Sequence, residues 1–164
     1  MSLHTIEIQI DEQFQEQVQP EPLRFAALAP LIHQQVEEAC ELVVVVTDDE
    51  ALHALNRRHR DVDAPTDVLA FPDETRGPFV SAPGLPRYLG DVIISFSRAE
   101  AQAKAAGHVV QAELQLLAVH GVLHLLGYDD VTAERRTRMW AIQAEIMRAL
   151  GVDVNLPLFR VVGS

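Results

Sequence analysis

Isoleucine recurs at every second position in Ile6, Ile8 and Ile10 with polar residues between, an alternation that predicts an edge or half-buried strand. Gln13 to Pro22 is polar and proline-bounded, which reads as a loop. Leu23 to Ala39 has apolar residues at helical spacing (Leu28, Leu31, Ile32, Val36), with Pro30 placed to bend or delay the helix. Leu42 to Val46 is an unbroken aliphatic run, which predicts a buried strand. Asp48 follows as a helix N-cap. Asp49 and Glu50 fall in the first turn and Arg57 and Arg58 near the end, the order that complements the helix dipole.

Asp63 to Thr66 reads as a turn, and Val68 to Phe71 as a short strand stopped by Pro72. Asp73 to Arg87 is rich in proline and glycine and predicts a flexible loop; Leu89 to Phe96 is the next strand. Ser97 is expected to cap a helix running to Ala106 and ended by Gly107. His108 to Leu126 is a further helix, closed by Gly127. It is apolar nearly all round, so it belongs at the centre of the molecule. Thr132 caps the last helix, whose Met139, Ile142 and Ile146 form an apolar stripe with Trp140 beside it. The order β-α-β-α-β-β-α-α-α predicts an α/β (α+β) fold. One domain spanning residues 1–164 would carry a small mixed sheet of about four strands packed with about five helices.

Composition narrows the class. Hydrophobic residues make up 48% and charged residues 23%, a globular balance. Lys and Arg total 13 against 24 Asp and Glu, a formal net charge of -11. That charge argues against a broad, sequence-independent grip on nucleic acid, so any RNA contact must rest on a local basic patch. DNA is not expected as a partner. Cys40 is the single cysteine, so an internal disulfide and a cysteine-based zinc site are both excluded, and a small buried thiol is expected. Met1 to Asp11 lacks the basic start and apolar run of a secretory signal. Leu114 to Tyr128, the longest apolar stretch, falls short of the roughly 20 residues of a membrane helix. A soluble cytoplasmic protein is expected.

The chemistry gathers in His120-Gly121-Val122-Leu123-His124-Leu125-Leu126-Gly127-Tyr128-Asp129-Asp130. Residues four apart share a helical face, about 6 Å apart along the axis, so two imidazoles so placed can converge on one ion. Gly127 can take the left-handed conformation that turns the chain back, and Asp130 can then close a third corner. The spacing is that of the metzincin metalloproteases, His-Glu-x-x-His-x-x-Gly-x-x-His. Gly121 stands where their general base Glu would be, and Asp130 where their third His would be. Burial keeps histidine neutral, the metal-binding form. Three protein ligands leave a fourth zinc position for water, whose pKa the ion could lower from about 15.7 towards about 7. The bland alternative makes both histidines hydrogen-bonded core residues and Asp130 a turn residue. An Asp ligand is harder than His, which leaves the choice among divalent metals open. Asp129 is the alternative third ligand.

His120-Gly-Val-Leu-His124-Leu-Leu-Gly127-Tyr128-Asp129 resembles the signature of the YbeY family, His-Gly-x-Leu-His-Leu-x-Gly-Tyr-Asp-His. Leu55-Asn56-Arg57-Arg58-His59-Arg60, Pro65-Thr66-Asp67-Val68-Leu69-Ala70-Phe71-Pro72 and Leu89-Gly90-Asp91-Val92-Ile93-Ile94-Ser95 are similar to further blocks of that family, in family order. The departure is Asp130, where the family has a third His. The resemblance implies a single-strand-specific, metal-dependent endoribonuclease of ribosomal RNA maturation (the small-subunit RNA 3′ end) and ribosome quality control. One zinc ion would be held by His120, His124 and Asp130. RNA and the ribosome or its proteins would be the partners. It also implies that Arg60 serves the RNA near the metal, where a guanidinium can grip a phosphate bidentately. Arg57 and Arg58 read as a solvated helix end. Two rivals stand beside this reading: a metalloprotease, against which the missing Glu at position 121 weighs, and a non-catalytic ribosome-assembly factor with a structural metal.

Overall fold

The computed structural model describes residues 3–60, 67–73, 85–152 and 154, without the side chains at positions 59 and 60. The chain runs β1 (Thr5–Ile10), α1 (Pro20–His33), β2 (Cys40–Thr47), α2 (Asp49–Arg60), β3 (Val68–Pro72), β4 (Arg87–Ser95), α3 (Phe96–Ala106), α4 (Val110–Leu125) and α5 (Ala133–Leu150). The order is the one the hydrophobic pattern predicts. The four strands form one sheet in the order β1-β2-β4-β3. β1, β2 and β4 run parallel, and β3 pairs antiparallel with β4 (Val68 with Ile94, Ala70 with Val92). β1 therefore lies at an edge, as its alternation requires.

β2 shows what a continuous apolar run can conceal. Cys40, Leu42, Val44 and Val46 are buried, while Val43 and Val45 point to the other face and stay half-exposed. Alternation of side chains across the pleat, not hydrophobicity, decides which valines reach the core. α1 and α4 lie on the buried face. α4 also touches β3, β4, α3 and α5. Every residue from Ala112 to Leu123 is buried, which accounts for a helix apolar on all sides. α5 packs its Met139, Ile146 and Met147 against Leu116, Val119 and Leu123 of α4.

Helix ends differ from expectation for local reasons. α1 begins at Pro20, a residue suited to a first turn because it has no N–H to leave unbonded. It stops at His33, six residues before Ala39, because Gln35 enters the left-handed region (φ 55°). The Val36 N–H then bonds back to Leu31 O at 3.0 Å, a Schellman-type closure. Pro30 sits inside α1, buried. The expected loop over Gln13 to Pro22 also holds a 3-10 turn (Glu12–Phe14). Ser95, not Ser97, caps α3: its Oγ accepts from Arg98 N at 3.3 Å. β4 consequently ends at Ser95 and Phe96 starts the helix. Asp48 caps α2 as expected, accepting from Ala51 N at 2.7 Å. The turn expected at Asp63 to Thr66, and most of the Asp73 to Arg87 loop, lie outside the described residues. Cys40 is buried and unbridged. Among the described residues no helix is long and apolar enough to cross a membrane.

Candidate metal centre

The centre is built on the last turns of α4. Gly121 explains how the helix comes so close to the sheet. A Cβ at this position would stand 2.4 Å from Val92 Cγ1 and 3.0 Å from its Cγ2. Carbon atoms pack at about 3.5–4.0 Å, so only glycine allows α4 to lie directly on β4 here. Position 121 thus faces the sheet, and a glutamate there has neither room nor the direction to act as a base.

The neighbouring position faces the other way. His120 is 1% exposed and points to α5, where its Nδ1–H donates to Gln143 Oε1 at 2.8 Å. That bond leaves the lone pair of His120 on Nε2. The Nε2 of His124 lies 3.0 Å from it, with the ring centroids 4.6 Å apart and the planes at 74°. His124 is half-buried. Two ring nitrogens at this distance suit one shared proton or one shared cation. Two ligands of a tetrahedral zinc ion stand about 3.4 Å apart, so the pair has to widen by only roughly 0.4 Å. The donor set fits a divalent metal of imidazole preference.

The helix then ends. Gly127 takes φ 103°, and Tyr128 N bonds back to Leu123 O at 3.0 Å, as the glycine turn predicts. Tyr128 Oη donates to Gln34 Oε1 at 2.7 Å and ties this loop to the end of α1. Asp129 is engaged at both carboxylate oxygens. Oδ1 accepts from Val131 N at 3.1 Å, and Oδ2 from Arg135 Nη1 at 3.3 Å. Asp130 is half-buried; its backbone oxygen accepts from Arg136 Nη2 at 3.3 Å. Its carboxylate makes no hydrogen bond or ion pair among the described residues. Among those residues no three His, Cys, Asp or Glu side chains gather to hold an ion. The structure therefore brings His120 and His124 together and leaves the carboxylate of Asp130 outside the pair. Arg60 ends α2, and its side chain lies outside the described residues.

A second buried polar group anchors the strand that follows the segment after Arg60. Asp67, 2% exposed, accepts from Gln102 Nε2 at 3.0 Å, while its backbone oxygen accepts from Ser95 N at 2.9 Å. Burial pushes its carboxyl above the ordinary range; the Gln102 bond opposes that shift and the charge of Glu113 adds to it. Glu113 itself is fully buried against His108, whose Nε2 is 2.7 Å from Oε1. Sequence reasoning gave no role to Gln143, Asp67 or Glu113. Gln143 carried a readable signal. It lies four residues after Met139 and three before Ile146, a polar residue inside an apolar stripe.

Fold and site together define a class: a small mixed α/β protein whose central helix presents two converging imidazoles beside a glycine turn. The family profile described as Endoribonuclease YbeY matches residues 4–151. Endoribonuclease YbeY of Chloroflexus aurantiacus is 47% identical over 152 residues, covering 92% of this chain and 97% of that protein. The Bacillus mycoides protein of the same name is 44% identical over 122 residues, 73% of this chain and 78% of its own. The chain belongs to the YbeY endoribonuclease family. The solution structure of TM1509 from Thermotoga maritima shares the fold, with a TM-score of 0.58 at 21% identity over 88% of each chain.

Proposed function

We propose that this protein is a metal-dependent endoribonuclease of single-stranded RNA, acting on ribosomal RNA in the cytoplasm through one zinc ion held by His120, His124 and Asp130. The observation that carries the reading is the 3.0 Å approach of two imidazole Nε2 atoms. His120 is the rigid member, locked between two helices. His124 is the less buried member. Asp130 is favoured over Asp129 as third ligand, because Oδ1 of Asp129 is used within its turn and Oδ2 pairs with Arg135 of α5. A zinc ion at this place would supply Lewis acidity to a phosphate oxygen and acidify a water molecule.

Arg60 is assigned to grip the phosphate bidentately and steady the charge that develops on it. This assignment rests on the family match at the end of α2. A net charge of -11 makes such a local cation necessary for any RNA contact. The protease alternative is disfavoured, since the position of its base faces Val92. The test is cleavage of a single-stranded ribosomal RNA fragment by the parent and by His124→Ala, each with metal content measured. The expected result is loss of both zinc and cleavage in the variant, with casein untouched by either protein. A variant that keeps its full metal content, or its full nuclease activity, overturns the assignment.

A further inference from the structure

Gln143 stands out among the buried side chains. It is 4% exposed and lies in the α4–α5 seam, where the neighbouring buried residues Leu116, Val119, Leu123, Met139, Ile146 and Met147 are all apolar. Burying an amide in such a seam costs free energy unless it is hydrogen-bonded, and an aliphatic residue would fill the stripe at no such cost. The bond it makes is to His120 Nδ1, at 2.8 Å.

We infer that Gln143 is the positioning residue of the metal centre: its Oε1 fixes His120 as the Nδ1–H tautomer and so aims the Nε2 lone pair at the metal position. The inference rests on the metal reading above and extends it to α5. An imidazole whose Nδ1–H is unheld can carry its proton on either nitrogen and can rotate about its side-chain bonds. One tautomer in one ring orientation presents Nε2 to an ion. The partner on the far nitrogen makes that choice in advance, so the ion meets a ligand that needs no reorganisation.

An amide can turn either its oxygen or its nitrogen to the ring, and the two orientations have opposite consequences. A carbonyl oxygen accepts from Nδ1–H and frees Nε2 for a metal. An amide NH2 donates to Nδ1 and puts the proton on Nε2, which blocks it. Gln143→Glu, as the carboxylate, has acceptors only, and Gln143→Leu has neither donor nor acceptor. The experiment measures zinc affinity by chelator competition for the parent, Gln143→Glu and Gln143→Leu. It also measures the His120 tautomer in each metal-free protein by long-range 1H–15N NMR of the ring nitrogens, and the metal-free Tm. We expect Nδ1–H at His120 in the parent and in the Glu variant, and mixed or Nε2–H in the Leu variant. Zinc affinity should fall about 10- to 100-fold in Gln143→Leu, the usual loss when such a support is removed, and should be retained in Gln143→Glu. Gln143→Leu strands the buried Nδ1–H of His120, so its metal-free Tm should fall; Gln143→Glu, which keeps the acceptor, shows whether zinc affinity follows the tautomer and not the fold.

Gln143→Leu with the parent's tautomer, or with zinc affinity within about twofold of the parent, overturns the inference while the metal reading stands. A Glu variant as weak as the Leu variant also overturns it. A parent protein that binds no zinc overturns the metal reading itself, and the inference with it.

Discussion

Substituting Gly121 by alanine sets two terms of known sign against each other. Alanine is favoured over glycine in a helix interior by about 1 kcal/mol, so at an exposed position the change stabilises. Here the new Cβ would meet Val92 Cγ1 at 2.4 Å, some 1.1–1.6 Å inside the usual carbon contact of about 3.5–4.0 Å. Val92 is fully buried and β-branched, so its side chain cannot swing away, and α4 has to lift off β4. Overpacking of this kind costs about 1–3 kcal/mol, and a clash this deep belongs at the upper end. The net loss is then about 1–2 kcal/mol, or roughly 2–8 °C in Tm for a domain of this size. Thermal melts of four proteins test the reasoning: the parent, Gly121→Ala, Val92→Ala and the double variant. Val92→Ala alone should be destabilising through lost burial and a cavity, by about 1.5–3 kcal/mol. In that background the alanine Cβ enters the vacated space, so Gly121→Ala should change sign and stabilise. Additive losses in the double variant would refute the claim that α4 rests on β4 through this contact, and so would a single variant as stable as the parent. Zinc affinity should fall with Gly121→Ala, because His120 is the adjacent residue on the displaced helix.

Two further outcomes are expected. Asp67 has its folded pKa raised, chiefly by burial, so the folded state holds its proton more tightly than the unfolded one. Stability from this group is therefore greatest at low pH and falls as pH rises through the window between the ordinary carboxylate value and the raised one. Asp67→Asn, which can still accept from Gln102, should remove that slope. Its Tm advantage over the parent should open across the window and then level off, and parallel pH profiles would contradict the burial argument. The two acidic residues after Tyr128 should separate cleanly. Asp130→Asn should weaken zinc by more than the roughly 10- to 100-fold that follows loss of an outer contact. Asp129→Asn should lower Tm slightly and leave zinc affinity unchanged, and equal losses would contradict Asp130 as the ligand.

The element order and the paired histidines were legible because each rests on a local rule. Ile6, Ile8 and Ile10 alternate, Asp48 and Thr132 cap their helices, and His120 and His124 sit four apart on a helix closed by Gly127. Other features depend on what lies across from a residue in space. Val43 and Val45 are as apolar as Val44 and Val46, and only the single covered face of the sheet separates them. The end of α1 rests on a non-glycine residue, Gln35, in a conformation that no local pattern demands. Gly121 reads in the sequence as a missing catalytic base, and in the fold as the contact that seats α4 on Val92. Gln143 is 23 residues from the ring it holds, so its role appears only when α5 is packed on α4.

The most direct test of the account is anomalous diffraction at the zinc edge from crystals of the zinc-loaded protein. One strong peak is expected within ligand distance of Nε2 of both His120 and His124, with the Asp130 carboxylate drawn in as the third protein ligand. No peak between the two imidazoles, or zinc bound only elsewhere, would contradict it.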